Sequence, residues 1–234
     1  MKKSLLTILL ISFLSNAIAQ STERRDVGDY DQVSVSGWFD VTLVEGTEGE
    51  ITLEGKSSQL KYIDTEVRDG RLKIEWTKRT NINPFYSFSK VYITVPVEDI
   101  DAVYLSGSGS VIGEKALNAD RFSAKLSGSG KIELDLVTEK INTAISGSGD
   151  IILSGKTTDL DVEVSGSGDV KAFGLEADFV AASISGSADV NVNAKEKIWA
   201  RISGSGDVNY IGSPDKIDSK ISGSGSVSKG KNNM

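Results

Sequence analysis

The tripeptide Ser-Gly-Ser recurs seven times, beginning at Ser106, Ser127, Ser146, Ser165, Ser185, Ser203 and Ser222, in steps of 18 to 21 residues. That period is too short for the helical hairpins of ankyrin or tetratricopeptide units, but it suits one turn of a β-solenoid. Each turn then supplies a rung whose apolar face is buried only when the next turn stacks on it.

Alignment on the first Ser exposes a strict two-residue alternation. One position before it stand Leu105, Leu126, Ile145, Val164, Ile184, Ile202 and Ile221. Five before it, from the second turn onward, stand Phe122, Ile141, Leu160, Val180, Ile198 and Ile217. The column between them is smaller: Val103, Ala124, Thr143, Val162, Ala182, Ala200 and Ser219. Five after it come Val111, Ile132, Ile151, Val170, Val190, Val208 and Val227. Alternation of this kind is the strand signal, and identical columns in successive turns place like side chains one strand spacing, ~4.8 Å, apart. Parity sets both glycines of Ser-Gly-Ser-Gly inside and the serines and the following Asp outside. On the far side of each turn, polar links such as Val137-Thr138-Glu139-Lys140 and Gly212-Ser213-Pro214-Asp215 are expected to bend the chain, and their unequal lengths give the spread in period.

The chain therefore reads as an all-β, single-stranded parallel β-helix (solenoid) with turns of ~19 residues and an irregular β N-terminal cap. The expected hand is right, from the usual chirality of parallel crossovers and from the family resemblance given below, not from the sequence itself. Residues 1–19 are expected to be a signal peptide, 20–100 the irregular cap section, 101–228 the regular turns and 229–234 a tail. The signal follows from Lys2 and Lys3, the apolar run Leu5 to Leu14, and the small residues Ala17 and Ala19 before a cleavage point. No later stretch is long and apolar enough to span a bilayer as a helix, so no transmembrane segment is expected in the mature chain. In the cap, Val33, Val35, Phe39, Val41 and Leu43 alternate, Asp69-Gly70 marks a hairpin, and Ser36-Gly37-Trp38-Phe39-Asp40-Val41 reads as a degenerate first turn. Asn83-Pro84-Phe85-Tyr86-Ser87-Phe88 would be a loop on the cap.

Composition narrows the chemistry. The chain has no Cys and no His, which excludes disulfides, thiolate nucleophiles, Ser-His dyads, haem ligation and conventional zinc sites. The formal net charge is −7, or about −9 once Lys2 and Lys3 are removed, so nucleic acid and anionic membrane are not expected partners.

The Gly-Trp-Phe-Asp-Val-Thr-Leu-Val-Glu-Gly start at Gly37 to Gly46, followed by serial Ser-Gly-Ser-Gly-Asp-Val turns, resembles a known family over about residues 27–228. It is similar to the head GIN domain family of auto-transporter adhesins of Bacteroidetes. The resemblance implies an exported β-helical protein with an adhesive role, placed in the periplasm, at the cell surface or secreted. It brings no established catalytic or binding residues.

Three features could carry function. Asp150, Asp169, Asp189 and Asp207 share one outward column, with Lys131 and Ser110 on one side and Ser226 on the other. Carboxylates ~4.8 Å apart repel by about 1 kcal/mol per neighbouring pair even at water's dielectric, so something must offset that. Hydrogen bonds from each Asp to backbone N–H groups of its own turn would do so. A Ca²⁺ site at Asp169 and Asp189 is the alternative, since the turn faintly resembles the calcium-binding nonapeptide; no other cofactor is indicated. Secondly, Ser148, Ser167, Ser187 and Ser205 either form with the Asp column a flat hydroxyl and carboxylate array suited to a repetitive ligand such as a glycan, or are small solvated residues at a tight bend. Thirdly, Trp199 is outward-facing and is either a sugar-stacking platform or a cover over Ala181, with Arg201 paired to Glu163 or another strand charge.

The expected function is a non-enzymatic adhesin-like binding module for glycans or a cell-envelope protein. The alternatives are a structural envelope scaffold or protein-interaction module and, behind these, a carboxylate-based polysaccharide-degrading enzyme. Uniformly short turns leave no loops to wall a cleft, which argues against the enzyme. The inside/outside assignment has a direct check. Ile145→Asp should disrupt folding while Asp169→Ser leaves it intact; equal melting temperatures for Ile145→Asp and wild type would refute it.

Overall fold

The computed structural model describes residues 20–77 and 89–230. The expected signal peptide, the loop Asn83 to Phe88 and the last four residues lie outside them. The cap section comprises β1 (Gln20–Gly28), β2 (Gln32–Gly37), β3 (Asp40–Glu45), β4 (Gly49–Lys56), a one-turn helix α1 (Ser57–Leu60), β5 (Ile63–Arg68), β6 (Arg71–Trp76), β7 (Tyr92–Val97) and β8 (Ala102–Gly107). Five long rungs follow: β9 (Ser110–Gly128), β10 (Lys131–Gly147), β11 (Asp150–Gly166), β12 (Val170–Gly186) and β13 (Asp189–Gly204). The end is built from β14 (Asp207–Gly212), β15 (Lys216–Gly223) and β16 (Ser226–Lys229).

The solenoid is observed, with about seven turns of roughly 19 residues. The rungs pair in parallel and in the register that the columns require: Ile145 lies opposite Leu126 and Val164, and Ile132 opposite Val111 and Ile151. Along β10 and β11 the burial alternates residue by residue, and the four apolar columns are buried through Ile198, Ile202 and Val208. Within β10 to β13 the far-side links are not loops. Val137 and Thr138 stay in β10 and pair with Asn118 and Ala119 of β9 and with Lys156 and Thr157 of β11, so the chain rounds the corner while still hydrogen-bonded to its neighbours. Thr157, buried there, donates toward the carbonyls of Glu139 and Asp159 at 3.2 and 3.1 Å. Length differences are absorbed by bulges, for instance between Glu133 and Asp135 opposite Ile112 and Ala116. Ser213, Pro214 and Asp215, by contrast, separate β14 from β15, as expected of a Pro that cannot donate to a ladder.

The glycines are needed for a reason other than simple inward parity. The first Gly of each motif is half-buried, not enclosed, and adopts a positive φ, +127° at Gly166 and +132° at Gly147. A Cβ at Gly166 would overlap the carbonyl oxygen of Gly147 in the preceding turn. These residues therefore stack backbone against backbone along the solenoid. The second Gly of the motif is the enclosed one, and Ala188 occupies that position in one turn.

The cap continues the solenoid out of chain order. β2 and β3 pair in parallel with β8 and β9, as the degenerate turn predicts, and Phe39 fills the space of the second Gly at full burial. The next turn outward is made by β6 and β7, which come later in sequence but pair in parallel with β2 and β3 on their other side. Antiparallel strands then close the end: β5 on β6 through the Asp69-Gly70 hairpin, and β4 on β7 with β1 beyond it. Arg25 joins the two closures, donating to the carbonyls of Leu60 (2.8 Å) and Ile63 (2.5 Å).

Substitution of the first-column glycine tests this stacking. A Cβ at Gly168 would meet the Gly149 carbonyl as closely as one at Gly166 meets Gly147, but only Gly166 has a positive φ, and the Gly168 column already tolerates Ala188, so Gly166→Ala should destabilise the protein by about 1–3 kcal/mol, more than Gly168→Ala. Denaturant melts read the difference, and equal costs at the two positions would contradict it.

Candidate functional site

Alternation and register together decide what the surface presents. Each rung crosses two sheet faces joined at the Ser-Gly-Ser-Gly corner, so the outward residues form three zones: the face before the corner, the corner serines, and the face after it.

The Asp column opens the face after the corner. Lys131 lies opposite both Ser110 and Asp150, Asp189 opposite Asp207, and Asp207 opposite Ser226. Ser110 in turn lies opposite Asp40, so the column extends into the degenerate first turn. The carboxylates are held in different ways. Lys171 Nζ donates to Asp150 Oδ2 at 2.7 Å, and that bond is the main reason the Lys171 ammonium is held above its ordinary pKa. Asp169 Oδ1 accepts the backbone N–H of Asp189 at 3.0 Å, and Asp207 Oδ1 accepts both the N–H and the hydroxyl of Ser226 at 2.7 Å. The bonds thus run to the following turn rather than within each Asp's own turn: the first N–H of the rungs at Asp189 and Ser226 points at the carboxylate beneath it, whereas that of the rungs at Asp150 and Asp207 goes to the carbonyls of Gly130 and Ala188. Asp189 carries the residual cost. Its carboxyl is pushed up first by burial, then by the charges of Asp169 and Asp207. A line of carboxylates spaced one rung apart does not converge on a point, and among the described residues no group of three or more acidic side chains is arranged to hold a metal ion.

The corner serines Ser148, Ser167, Ser187 and Ser205 are exposed. Their backbone N–H groups each donate at 2.9 Å to the first Gly carbonyl of the preceding turn, which locks the corner and turns the side chains to solvent.

Trp199 sits on the other face, before the corner, so the fold does not bring it to the Asp column. It is 39% exposed and lies opposite Ala181 on one side and Asp218 on the other. The Arg201 guanidinium lies over its ring at 5.1 Å instead of pairing with Glu163, a cation–π contact. Beside Trp199 is an open recess of about 520 Å³, floored by the small residues Ala144, Ala181 and Ser183 and edged by Asn142, Asp161 and Glu163. A second recess of about 410 Å³ shares Lys125, Ala144 and Glu163 with it and runs on to Tyr104 and the first-Ser column. The far end is again aromatic under cations: Arg71 stacks on Tyr104 at 4.5 Å, with Lys125 at 6.0 Å. The trough is where outward columns turn small between two aromatic residues. Sequence columns identify Trp199, Ala181 and Glu163, whereas Tyr104, Asn142 and Asp161 gain a role only from being assembled around the same recess. A larger groove of about 930 Å³ at the cap is lined by side chains of both charges, among them Arg25, Lys73 and Glu66.

Comparison with known proteins bears on this geometry. A family described as "Putative auto-transporter adhesin, head GIN domain" matches residues 29–214. Among solved structures, a "putative adhesin" from Bacteroides fragilis superposes with a TM-score of 0.84 at 24% identity, covering 90% of this chain and 97% of that one. A "Putative lipid binding protein" from Parabacteroides distasonis gives 0.71 at 26% identity, covering 91% and 97%. A "putative adhesin" from the same species gives 0.74 at 19% identity, with the same coverage. No curated protein matches significantly.

The electrostatic strain on Asp189 gives a signed prediction. Its carboxyl titrates above the ordinary 3.8 in the fold, so its contribution favours folding below that pH and is lost as pH rises through the raised value. Asp189→Asn removes the charge and keeps an oxygen acceptor. It should melt higher than wild type at pH 7, with the gap closing as the pH falls below about 3.8. A lower melting temperature for the variant at pH 7 would contradict the assignment.

Proposed function

The chain belongs to the family described as "Putative auto-transporter adhesin, head GIN domain", and we propose from that premise that it is an exported, non-enzymatic binding module that holds a glycan across the Trp199 face. Its export is supported by the leader pattern at residues 1–19 and by the adhesin-like family; the destination is the periplasm, the cell surface or the medium.

The observation that carries the reading is the trough between Trp199 and Tyr104. A sugar offers an apolar ring face and a rim of hydroxyls. Trp199 supplies a half-exposed aromatic ring with the Arg201 guanidinium over it, and Asn142 and Glu163 supply polar groups at the edge of a floor too small to obstruct. The Asp column is less suited to be the primary contact, because Asp150, Asp169 and Asp207 already engage Lys171, Asp189 and Ser226. The first serines of the motif, Ser106, Ser127, Ser146 and Ser165, line the second recess and give the trough a hydroxyl border. Acid–base chemistry is not supported: the recess is open along its length, and Asp161 is bound to Lys140 at 2.6 Å.

Binding of labelled protein to a broad glycan array tests this. Trp199→Ala should weaken saturable hits roughly tenfold, the loss expected for one stacking contact, while the double variant Asp169→Ser, Asp189→Ser binds as wild type. Loss in the double variant alone would return recognition to the Ser/Asp array. A blank array for the folded protein would leave a scaffold or protein-interaction module as the function.

A further inference from the structure

The two ends of the solenoid differ. The N-terminal end is closed by antiparallel strands, whereas at the other end β15 pairs only with β13, and β16 only with β14. Their outer edges have no partner strand among the described residues. The same columns that are sealed one turn earlier are open here: Ile217 and Ile221 are 39% and 41% exposed, against 0% and 1% for Ile198 and Ile202. An edge with inward isoleucines and unpaired backbone groups is a template for another strand. The inward positions 217, 219 and 221 hold no charge that would blunt it.

We propose that this edge is a homodimer interface, in which β15 pairs antiparallel with β15 of a second copy about a two-fold axis through Ser219. The sequence of the strand, Lys216-Ile217-Asp218-Ser219-Lys220-Ile221-Ser222, is complementary to itself in that register. Ile217 of each copy lies opposite Ile221 of the other on the inner face, and Asp218 of each lies opposite Lys220 of the other on the outer face. The register is singled out by charge and parity. A slip of two residues in either direction sets Asp218 against Asp218 or Lys220 against Lys220, and a slip of one sends the isoleucines to the solvent side. Lys220 has no ion-pair partner among the described residues and is free to take this one. Asp218 is held ionised by Lys197 and Lys216, each at 3.3 Å, and Lys220 of the second copy would share its carboxylate with them. A two-fold contact of one patch with itself is also the commonest way for identical chains to associate. It would continue the face before the corner from one copy into the next. Trp199 is in register with Asp218, so the two Trp199 side chains would lie about 15 Å apart on a shared face at ordinary strand spacing.

Sedimentation velocity of the purified protein across a concentration series tests the interface, with circular dichroism confirming that each variant is folded. Wild type should dimerise reversibly. Lys220→Glu, which breaks no ion pair among the described residues, should weaken the dimer about tenfold or more, because two attractive cross-strand pairs become repulsive. Asp218→Lys alone should do the same. An equimolar mixture of the two variants should recover the dimer, since in the mixed pair the introduced glutamate faces the introduced lysine while the unchanged Asp218 of one copy faces the unchanged Lys220 of the other. Lys220→Glu carries the test even where Asp218→Lys loses the last strand. Wild type that stays monomeric up to its solubility limit overturns the proposal and leaves the edge to a different chain. So does Lys220→Glu dimerising as tightly as wild type, or a mixture of folded variants that remains monomeric.

Discussion

Everything in this protein depends on the approach of one backbone turn to the next. Parallel hydrogen bonding fixes the rung spacing, and it continues through the corner, with Gly carbonyls accepting N–H groups from Ser148, Ser167, Ser187 and Ser205 of the following turn. Only a residue without a Cβ, at positive φ, permits that approach at the first Gly of the motif. Once the corner is locked, the flanking residues have no freedom of register, and the apolar columns stack of necessity. The core is thus as much a consequence of the corner as of hydrophobicity.

The same register imposes a cost on the surface. It stacks Asp on Asp as strictly as Ile on Ile, and the chain offsets the repulsion by a different device at each rung: Lys171 for Asp150, the Asp189 N–H for Asp169, and Ser226 for Asp207. Asp189, between two charges, shows what is left over in its raised carboxyl. A periodic charged column that looks like a ligand array in the sequence becomes, in three dimensions, partly a set of staples between turns. The trough on the other face has the opposite origin. It exists because the period is imperfect there, with Ala144, Ala181 and Ser183 at positions that carry Lys125 and Trp199 in other turns.

Capping is similarly asymmetric. Arg25, the short helix and two antiparallel closures seal one end, while the last inward isoleucines at the other are half exposed. A solenoid whose rungs are interchangeable in kind is therefore polar in what its ends can do, and the Trp199 recess lies next to the open one.

The regular turns were legible in the sequence because stacked rungs repeat their environment. Identical neighbours demand identical residues, so Leu105 to Ile202 and Val111 to Val208 announce their burial, and the sequence determined the all-β solenoid, the inward columns and the degenerate turn at Gly37. The Asp69-Gly70 hairpin was legible too, since its positive φ values restrict the residues that fit. What only the tertiary structure decided involves contacts with no local signature. The insertion of β2 and β3 between β6/β7 and β8/β9 leaves no periodic trace, because strand alternation says which face is buried but not which strand lies alongside. The bonds from each Asp to the following turn, the stacking of Arg201 on Trp199, and the assembly of Tyr104, Asp161 and Trp199 around one trough likewise depend on distances between rungs and on side-chain direction. Periodicity encodes the repeated environment of a residue; the exceptions, where binding and association reside, are set by the particular neighbours that folding supplies.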